Sequence, residues 1–277
     1  MATVRDILQE GAQRLAGIDA QREAALLLQH VLGMSEAWLI AHADDPVDGP
    51  HATAFQGLIE RRAQGEPIAY LTGTRGFHTL DLRVTPAVLI PRPETELLVD
   101  LALQRIPVDT DCAVADLGTG SGAIALAVAK ARPRTRVLAT DASGSALEVA
   151  RANTSGLALR NVEFAQGDWC TALGNARFAV IVSNPPYVAT GDPHLQEGDL
   201  RFEPPLALSS GFAGLDAIRT IVRDARGHLC EHGWLLFEHG FGQGAEVRDL
   251  LGRHGYTEIF TERDIEGRER VSGGRLA

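Results

Sequence analysis

Apolar residues recur at intervals of three and four through the first 65 positions of this 277-residue chain, a spacing that places them on one face of an α-helix. Asp19 stands where a second helix would begin, and Gly33 and Gly65 stand where helices commonly end. The pattern therefore predicts a small helical bundle. Its segments are marked by Val4, Ile7, Leu8, Ala12 and Leu15, by Ala24, Leu27, Leu28 and Val31, by Trp38, Leu39 and Ile40, and by Phe55, Leu58 and Ile59.

The apolar pattern changes to alternation over residues 77–84, which is typical of a β-strand. Thr85 and Pro86 are expected to turn the chain, and residues 87–90 are expected to form the returning strand. The segment is therefore interpreted as a hairpin.

These changes predict a helical domain over residues 1–75, a hairpin linker over residues 76–91 and a second domain over residues 92–277. A helix is expected to open the second domain, because Glu94 and Glu96 lie in its first turn, where the helix dipole favours acidic residues. The two glutamates are about equally compatible with a role in closing a cofactor pocket.

From residue 111 onward, strand-like apolar runs alternate with helical segments, which predicts an α/β domain with a mainly parallel sheet and helices on both faces. The last two strands are separated only by a short turn at residues 266–268, too little for a parallel crossover, so an antiparallel hairpin is expected to end the sheet. The expected strands are 112–117, 136–141, 161–165, 178–183, 233–239, 257–263 and 269–275. The expected helices are 122–131, 144–154, 214–231 and 243–253.

The charge balance argues against one class of partner. The formal net charge is −10 and the pI is about 5.4, whereas a protein held by nucleic-acid phosphates needs a basic face. No direct nucleic-acid partner is therefore expected. The N-terminus lacks a signal pattern and no apolar run reaches transmembrane length, so a soluble cytoplasmic protein without membrane contact is expected.

The three cysteines, Cys112, Cys170 and Cys230, lie far apart without metal or redox spacing, so buried free thiols are expected. His228 and His232 flank Cys230 at helical spacing and would form a metal-binding face on the predicted helix. No further ligand cluster is evident in the sequence. A solvated helix end is the favoured interpretation, and no metal is expected.

A glycine-rich loop joins the first strand of the α/β domain to the next helix, and glycines let a backbone turn tightly and approach a ligand. Asp141 closes the following strand, at the usual distance for a carboxylate that holds ribose hydroxyls. With Ala123 in third place the loop also satisfies the dinucleotide pattern, so an NAD-dependent dehydrogenase is a rival interpretation. The candidate cofactor-binding residues are Asp116, Gly118, Thr119, Gly120, Ser121, Gly122 and Asp141.

Acidic side chains around the loop favour a different cofactor. Asp116 precedes the glycines, where an acid can pair with the ammonium group of a methionine moiety. Asp168 and Trp169 follow the third strand, where an acid and an aromatic ring are suited to hold an adenine. No pattern for hydride transfer is evident, so the context favours S-adenosylmethionine over NAD.

Asn184, Pro185, Pro186 and Tyr187 follow the apolar run of residues 178–183. Two successive prolines cannot continue a central strand, so they predict a rigid elbow at its carboxyl end, where open α/β sheets bind ligands. Asn184 offers a carbonyl acceptor and an NH2 donor, and Tyr187 offers a flat aromatic face. This combination suits a planar amide or amino group as the substrate.

These motifs resemble the release-factor glutamine methyltransferases, relatives of the amino-methylating enzymes within the seven-stranded, Rossmann-like class I methyltransferases. The resemblance covers nearly the whole chain. Its most specific part is the stretch Ile-Pro-Arg-Pro-Glu-Thr-Glu of residues 90–96 beside a helical N-terminal domain. Other matching stretches are residues 116–122, residues 184–187, Phe202-Glu203-Pro204, Glu238-His239-Gly240 with Gln243, and Asp264 with residues 268–271.

The resemblance implies S-adenosyl-L-methionine as the cofactor and peptide chain release factors as the protein substrate. The methyl group would go to the side-chain N5 of the glutamine in a Gly-Gly-Gln motif. The resemblance implies that Asn184, Pro185 and Tyr187 are catalytic: the Asn184 side chain and the Pro185 backbone oxygen accept the amide N–H bonds, and Tyr187 packs on the amide plane. Pro186 completes the substrate contact, Asn184 also borders the cofactor, and residues 1–75 recognise the substrate.

Two other functions remain compatible with the residues. An N6-adenine or N4-cytosine nucleic-acid methyltransferase would share the elbow, but the acidic balance and the lack of a basic recognition domain weigh against it. A binding module that retains the cofactor without catalysis is disfavoured by the intact Asn184 and glycine loop.

Overall fold

The computed structural model describes residues 2–15, 17 and 19–277. The chain forms two compact units. The first extends to Thr74 and also includes residues 196–202, and the second comprises residues 75–195 and 203–277. Residues 196–202 therefore cluster with the helical unit, although they lie within the range that the sequence assigned to the second domain.

The first unit is helical, and polar side chains cap several of its helices. Thr3 forms a capping box with Asp6, and Ser35 and Asp48 each accept a backbone N–H of the helix that follows. Asp19 stands at the expected N-cap but makes no capping hydrogen bond. The helices are α1 (Val4–Arg14), α2 (Ala20–Leu32), α3 (Glu36–Ala41), α4 (Gly49–Ala63) and α5 (Ile68–Thr72), the last without a counterpart in the predicted pattern.

Arg62 of α4 links the helices of the first unit to residues 196–202. Its guanidinium binds Glu23 of α2 at 2.7 Å and Asp199 at 3.1 Å, and Arg201 donates to the backbone oxygen of Gln64. The Arg62 side chain is only 19% exposed, so it belongs to a half-buried ion-pair network rather than to a solvated surface. Residues 196–202 are therefore fastened to the helical unit by charge-assisted hydrogen bonds.

The predicted hairpin is present, but its turn lies elsewhere. Strands β1 (Thr74–Phe77) and β2 (Leu80–Arg83) turn at His78, whose φ of 52° is in the left-handed region. The His78 backbone N–H is held by the Glu96 carboxylate at 2.8 Å. The chain does turn at residues 85–88, where the Thr85 carbonyl oxygen accepts the Val88 backbone N–H at 3.1 Å, but this turn does not join the strands of the hairpin. The strand predicted at residues 87–90 was wrong, and the hairpin turn lies seven residues before Thr85.

The second unit contains a seven-stranded sheet in the order β5-β4-β3-β6-β7-β9-β8. Strands β3 to β7 pair in parallel, while β9 pairs antiparallel with both β7 and β8, which confirms the predicted α/β class and the terminal hairpin. The elements are α6 (Glu96–Arg105), β3 (Ala113–Leu117), α7 (Ala123–Ala131), β4 (Arg136–Asp141), α8 (Gly144–Gly156), β5 (Val162–Gln166), β6 (Phe178–Ser183), α9 (Asp216–Ala225), β7 (Leu229–Glu238), α10 (Gly244–Arg253), β8 (Tyr256–Arg263) and β9 (Glu269–Leu276).

Apolar residues cover both faces of this sheet. Side chains of α6 and α7 form the core on one face, and side chains of α9 and α10 form it on the other. Successive residues of β7 alternate between the two cores: Leu236 lies in the first, and Leu235 and Phe237 lie in the second. Burial on both faces fixes the strand register, and with it the positions of the loops at the strand ends.

The predicted helix 214–231 was too long. Helix α9 ends at Ala225, a single 3-10 turn follows, and β7 begins at Leu229. Cys230 and His232 therefore lie on a strand, so the metal-binding helix face considered for His228, Cys230 and His232 does not exist. Within residues 2–15, 17 and 19–277, no group of three or more His, Cys, Asp or Glu side chains is placed to hold a metal ion.

The cysteines differ in burial: Cys170 is buried, whereas Cys112 and Cys230 are partly exposed, and none forms a disulfide. The expectation of buried thiols was therefore wrong for two of the three. Among the described helices, none has both the length and the apolar character needed to cross a membrane.

Candidate active site

A cavity of about 430 Å³ opens at the carboxyl ends of β3 to β6, within the second unit. We call the wall formed by residues 118–121, 141 and 168–169 the loop end, and the wall formed by Thr95, Asn184 and Pro186 the elbow end. The structure brings most of the predicted residues together here. Those that line the cavity are Gly118, Thr119, Gly120, Ser121, Asp141, Asp168, Trp169, Asn184 and Pro186, whereas Asp116, Gly122, Pro185 and Tyr187 do not.

The glycine loop needs its glycines for two different reasons. Gly118 and Gly120 have φ values of 72° and 57°, a left-handed conformation that side-chain-bearing residues rarely adopt. A Cβ on Gly118 would also lie 3.3 Å from the Trp169 ring, so the glycine lets the indole pack on the loop. Gly122 packs against α7, because a Cβ there would lie 3.0 Å from Leu126.

Asp141 fastens the glycine loop and lines the cavity at the same time. Its Oδ2 accepts the Gly120 backbone N–H at 2.9 Å, and its Oδ1 accepts that of Ser143 at 2.9 Å. A carboxylate oxygen has capacity for a second donor, so Asp141 can still accept hydrogen bonds from a ligand in the cavity. This arrangement suits a pair of ribose hydroxyls.

Asp116 lies beneath the loop rather than on the cavity wall. Its Oδ2 accepts from the Thr119 hydroxyl at 2.7 Å and from the Ala125 backbone N–H at 3.1 Å. Its Oδ1 is buried and has no hydrogen-bond partner in the described part of the chain. Burial raises the pKa of the Asp116 carboxyl to about 7. A cation in the adjacent cavity would stabilise the ionised form of Asp116, because the buried Oδ1 has no hydrogen-bond partner of its own.

Asn184, at the elbow end, is held by a buried chain of hydrogen bonds. Its Nδ2 donates to Thr95 Oγ1 at 3.1 Å, and that hydroxyl donates to Glu238 Oε2 at 2.6 Å. The Tyr187 hydroxyl donates to the other oxygen, Glu238 Oε1, at 3.0 Å. Thr95 and Glu238 are 4% and 1% exposed, so water does not compete for these bonds.

Burial has the largest effect on the pKa values of Glu238 and Tyr187, the two titratable groups in this chain of hydrogen bonds. It raises the pKa of the Glu238 carboxyl, while the Thr95 and Tyr187 hydroxyls and the nearby Arg270 oppose that rise. Burial and the Glu238 charge both raise the pKa of Tyr187, which keeps its hydroxyl protonated and therefore a donor. Arg270 is itself fixed by Asp264, whose Oδ2 it binds at 3.2 Å.

Gln243 fixes the backbone of the elbow. Its Nε2 donates to the carbonyl oxygens of Tyr187 at 3.1 Å and Ala213 at 3.2 Å, and its Oε1 accepts the Gly240 N–H at 2.8 Å. A Cβ on Gly214 would lie 2.1 Å from the Tyr187 oxygen, so a glycine is required there. The elbow is thus held from two neighbouring loops as well as by its own prolines.

Arg92 and Glu203 join two further parts of the cavity wall. The Arg92 guanidinium binds the Glu203 carboxylate, which is buried and also accepts the Ile90 backbone N–H at 3.4 Å. Arg92 and the adjacent Pro204 both line the cavity, so the ion pair holds residues 90–92 against the start of the next loop. Neither Glu94 nor Glu96 lines the cavity; the intervening Thr95 does.

Thr95, Glu238 and Gln243 lie in the stretches that resemble the family, but the sequence alone predicted no individual role for them. The available signal was their polarity: a buried Thr or Glu, or a partly buried Gln, beside an elbow must find hydrogen-bond partners. Three of the contacts that build the site, Thr95–Glu238, Tyr187–Glu238 and Gln243–Tyr187, join positions 51 to 143 apart in the sequence. No local pattern reports contacts at such separations.

Comparison with known proteins gives the chain a family. Residues 6–73 match the PrmC N-terminal domain, and residues 95–197 match the methyltransferase small domain. A release factor glutamine methyltransferase of Xylella fastidiosa is 52% identical over 97% of this chain and 96% of its own length. The protein of the same name from Pseudomonas aeruginosa is 46% identical over 100% of both chains.

Solved structures support the fold. A T. thermophilus 16S rRNA methyltransferase, solved with AdoMet and guanosine, superposes with a TM-score of 0.57 at 20% identity, over 74% of this chain and 50% of its own. At that identity the likeness extends to the fold alone. The relatives that match over nearly their full length show the family as well: the chain belongs to the release factor glutamine methyltransferases.

Proposed function

We propose that this chain, as a member of that family, transfers a methyl group from S-adenosyl-L-methionine to the side-chain N5 of the glutamine in the Gly-Gly-Gln motif of peptide chain release factors. The observation that carries the proposal is the buried hydrogen-bond chain that holds Asn184 at the elbow end of the cavity. The names of the full-length relatives supply the class of substrate.

The loop end fits the cofactor on structural grounds. The Asp141 carboxylate suits the ribose hydroxyls, and Asp168 and Trp169 suit the adenine. Thr119 suits the ammonium group, because its hydroxyl donates to Asp116 Oδ2 while its oxygen remains an acceptor on the cavity wall. The buried Asp116 carboxylate beneath it would stabilise the positive charge without direct contact. When bound, S-adenosylmethionine supplies an electrophilic methyl group on its sulfonium centre.

The chain's own residues orient a weak nucleophile. An amide nitrogen reacts poorly because its lone pair is delocalised, so positioning and charge stabilisation must supply the rate. We assign the Asn184 side-chain oxygen, on the cavity wall, to one of its two N–H bonds. The second N–H is assigned to the Pro185 backbone oxygen and the amide plane to the Tyr187 ring, although neither residue lines the cavity. As the N–C bond forms and the methyl–sulfur bond breaks, with S-adenosylhomocysteine as the leaving group, the nitrogen becomes positive and these acceptors would bind it more strongly, before one proton leaves to solvent.

The helical domain, residues 1–75, is the part of the chain proposed to recognise the release factor, since it carries no catalytic motif of its own. Because release factors act in translation, the cytoplasm is the proposed location. Hydrogen exchange of the chain mixed with a release factor should then show added protection in α1 to α5. Unchanged exchange throughout those helices would remove the recognition role.

Mass spectrometry of the reaction products tests the proposed substrate. The chain is incubated with S-adenosylmethionine and, in separate tubes, with a release factor, the same factor carrying Gln→Ala in the Gly-Gly-Gln motif, and DNA. One added methyl is expected on the glutamine of the first tube and on nothing in the other two. Methyl transfer to adenine or cytosine, with none on the factor, would establish the nucleic-acid function that shares the elbow.

A further inference from the structure

The hydrogen atoms of the buried chain at the elbow can be assigned by elimination. In its ionised form Glu238 has no hydrogen to donate, and it accepts from both the Thr95 and the Tyr187 hydroxyls. Thr95 has one hydroxyl hydrogen, and it is directed to Glu238. The Thr95 oxygen can then only accept in its contact with Asn184, which must turn its NH2 group toward Thr95.

We infer that Thr95 and Glu238 are positioning residues that set the polarity of Asn184, so that its carbonyl oxygen, and not its NH2 group, faces the acceptor nitrogen. This inference rests on the proposed function, since it assigns the residues that orient a group of the same site. Neither residue touches the reacting atoms in this role: Glu238 acts through Thr95, and Thr95 acts through Asn184.

The polarity needs to be set because an asparagine amide is nearly symmetric in shape. Rotation by half a turn exchanges its oxygen and nitrogen at almost no steric cost, and only the hydrogen-bond partners distinguish the two states. The rotated state would present two N–H donors to a substrate nitrogen that itself carries two N–H donors. Such a site would repel the group that it must hold.

The fold buries the Glu238 carboxylate, so solvent does not compete for its hydrogen bonds. Glu238 ends β7, the strand beside β6, and Asn184 directly follows β6. Thr95 stands at the start of α6 and, although it lies 143 positions from Glu238 in the sequence, its hydroxyl contacts the Glu238 carboxylate. Burial raises the pKa of the Glu238 carboxyl, and the hydrogen bonds from Thr95 and Tyr187 together with the charge of Arg270 oppose that rise and favour the ionised form.

Glu238→Gln tests the inference with a side chain of the same shape. A glutamine can donate to Thr95, which would turn the Thr95 hydrogen toward Asn184 and rotate the asparagine into its unproductive state. We expect kcat for release-factor methylation to fall about a hundredfold, the effect of misplacing one stabilising group. Affinity for S-adenosylhomocysteine should stay within about threefold, because the loop end is untouched. Glu262→Gln, on the exposed part of β8, is the matched control for loss of one negative charge.

Thr95 provides a second comparison. Thr95→Val keeps the shape but removes the hydroxyl, and it should lower kcat as strongly as Glu238→Gln. Thr95→Ser keeps the hydroxyl and should retain most of the activity. A packing role alone would give the reverse order, because valine preserves the buried volume and serine does not.

Combining Asn184→Asp with Glu238→Gln separates polarity from structure. A carboxylate at position 184 accepts on both oxygens, so it can take the reversed Thr95 hydrogen and still accept from the substrate. We expect the double variant to be at least about tenfold more active than either single variant, a coupling that two independent losses would not produce. Simple additivity of the two losses would contradict the inference.

A measurement without turnover keeps this inference separate from the proposed function. In the wild-type chain, nuclear Overhauser effects should connect the Asn184 side-chain NH2 protons to the Thr95 methyl group, and Glu238→Gln should abolish them. If the wild type fails to methylate the release factor but shows these signals, the proposed function is wrong and the orientation stands. Wild-type kcat in Glu238→Gln, a parallel loss of cofactor affinity, or unchanged signals would each overturn the inference.

Discussion

At the loop end of the cavity the site consists of one short loop and the acid that fastens it, whereas at the elbow end it consists of side chains from three distant segments. The loop end depends on backbone conformation: Gly118 and Gly120 adopt left-handed φ values, and Asp141 holds the Gly120 N–H. The elbow end depends on side-chain hydrogen bonds, from Asn184 through Thr95 to Glu238.

The difference indicates how each end is expected to fail. A loop held by backbone geometry tolerates exchange of most side chains but not of its glycines. A chain of buried hydrogen bonds fails when any member loses its donor or acceptor, since the remaining members are left unsatisfied. The two ends should therefore be separable by substitution, with cofactor binding lost at one and methyl transfer at the other.

The largest expected effect is that of Asn184→Ala. This change removes the acceptor that faces the substrate and should lower kcat by about a thousandfold, the upper range for one stabilising group. Affinity for S-adenosylhomocysteine should change by less than about tenfold, or 1.4 kcal/mol, in calorimetry. Near-normal turnover would show that the elbow does not hold the acceptor amide, and the contrast between the two ends would disappear.

Gly118→Ala should give the opposite profile with a smaller magnitude. The left-handed backbone at φ 72° and the Trp169 ring 3.3 Å from the new Cβ both oppose the substitution. A strain of about 1–2 kcal/mol predicts roughly tenfold weaker cofactor binding, measured by calorimetry, with kcat at saturating cofactor nearly unchanged. Gly227→Ala is the control, because its Cβ would meet open space. Wild-type affinity in Gly118→Ala would mean that the loop adapts freely.

The smallest expected effect is a pH dependence of cofactor binding. Burial raises the Asp116 pKa to about 7, and a bound ammonium group favours the ionised form, so binding should release a proton near neutral pH. Affinity for S-adenosylhomocysteine should fall several-fold as the pH decreases from about 8 to about 6, because the carboxyl must first lose its proton.

Asp116→Asn is the comparison for this pH effect, since it cannot ionise. The variant should bind more weakly than the wild type at pH 8, with an affinity that no longer follows Asp116 titration. Wild-type affinity that stays flat or rises as the pH decreases would rule out the proposed link between Asp116 and the cofactor.

The sequence predicted the loop end far better than the elbow end, and the reason is distance along the chain. Gly118, Gly120 and Asp141 lie within one strand–helix–strand unit, so local spacing reveals them. The Thr95–Glu238 contact spans 143 positions and leaves no periodic trace. The hairpin turn failed for a related reason: Pro86 is the stronger local turn signal, but Glu96 captures the His78 backbone N–H and fixes the turn there.

The boundary between α9 and β7 shows a different limit. Residues 226–232 carry no glycine–proline pair to mark the end of the helix, and an apolar residue such as Leu229 suits either a helix or a strand. Pairing with β6 decides the matter, since Leu229 lies opposite Phe178 in the parallel ladder. Sheet pairing of this kind overrides local helical spacing.

Arg62 has a consequence for anyone who would build chimaeras from this family. The helical unit is discontinuous in sequence, because Arg62 binds both Glu23 and Asp199, and residues 196–202 belong to the same compact unit. A single crossover near residue 75 would exchange the helices but keep the parental segment that they hold. The helical unit is encoded by two separate stretches of the gene, and both must be exchanged together for a chimaera to keep the contacts within this unit.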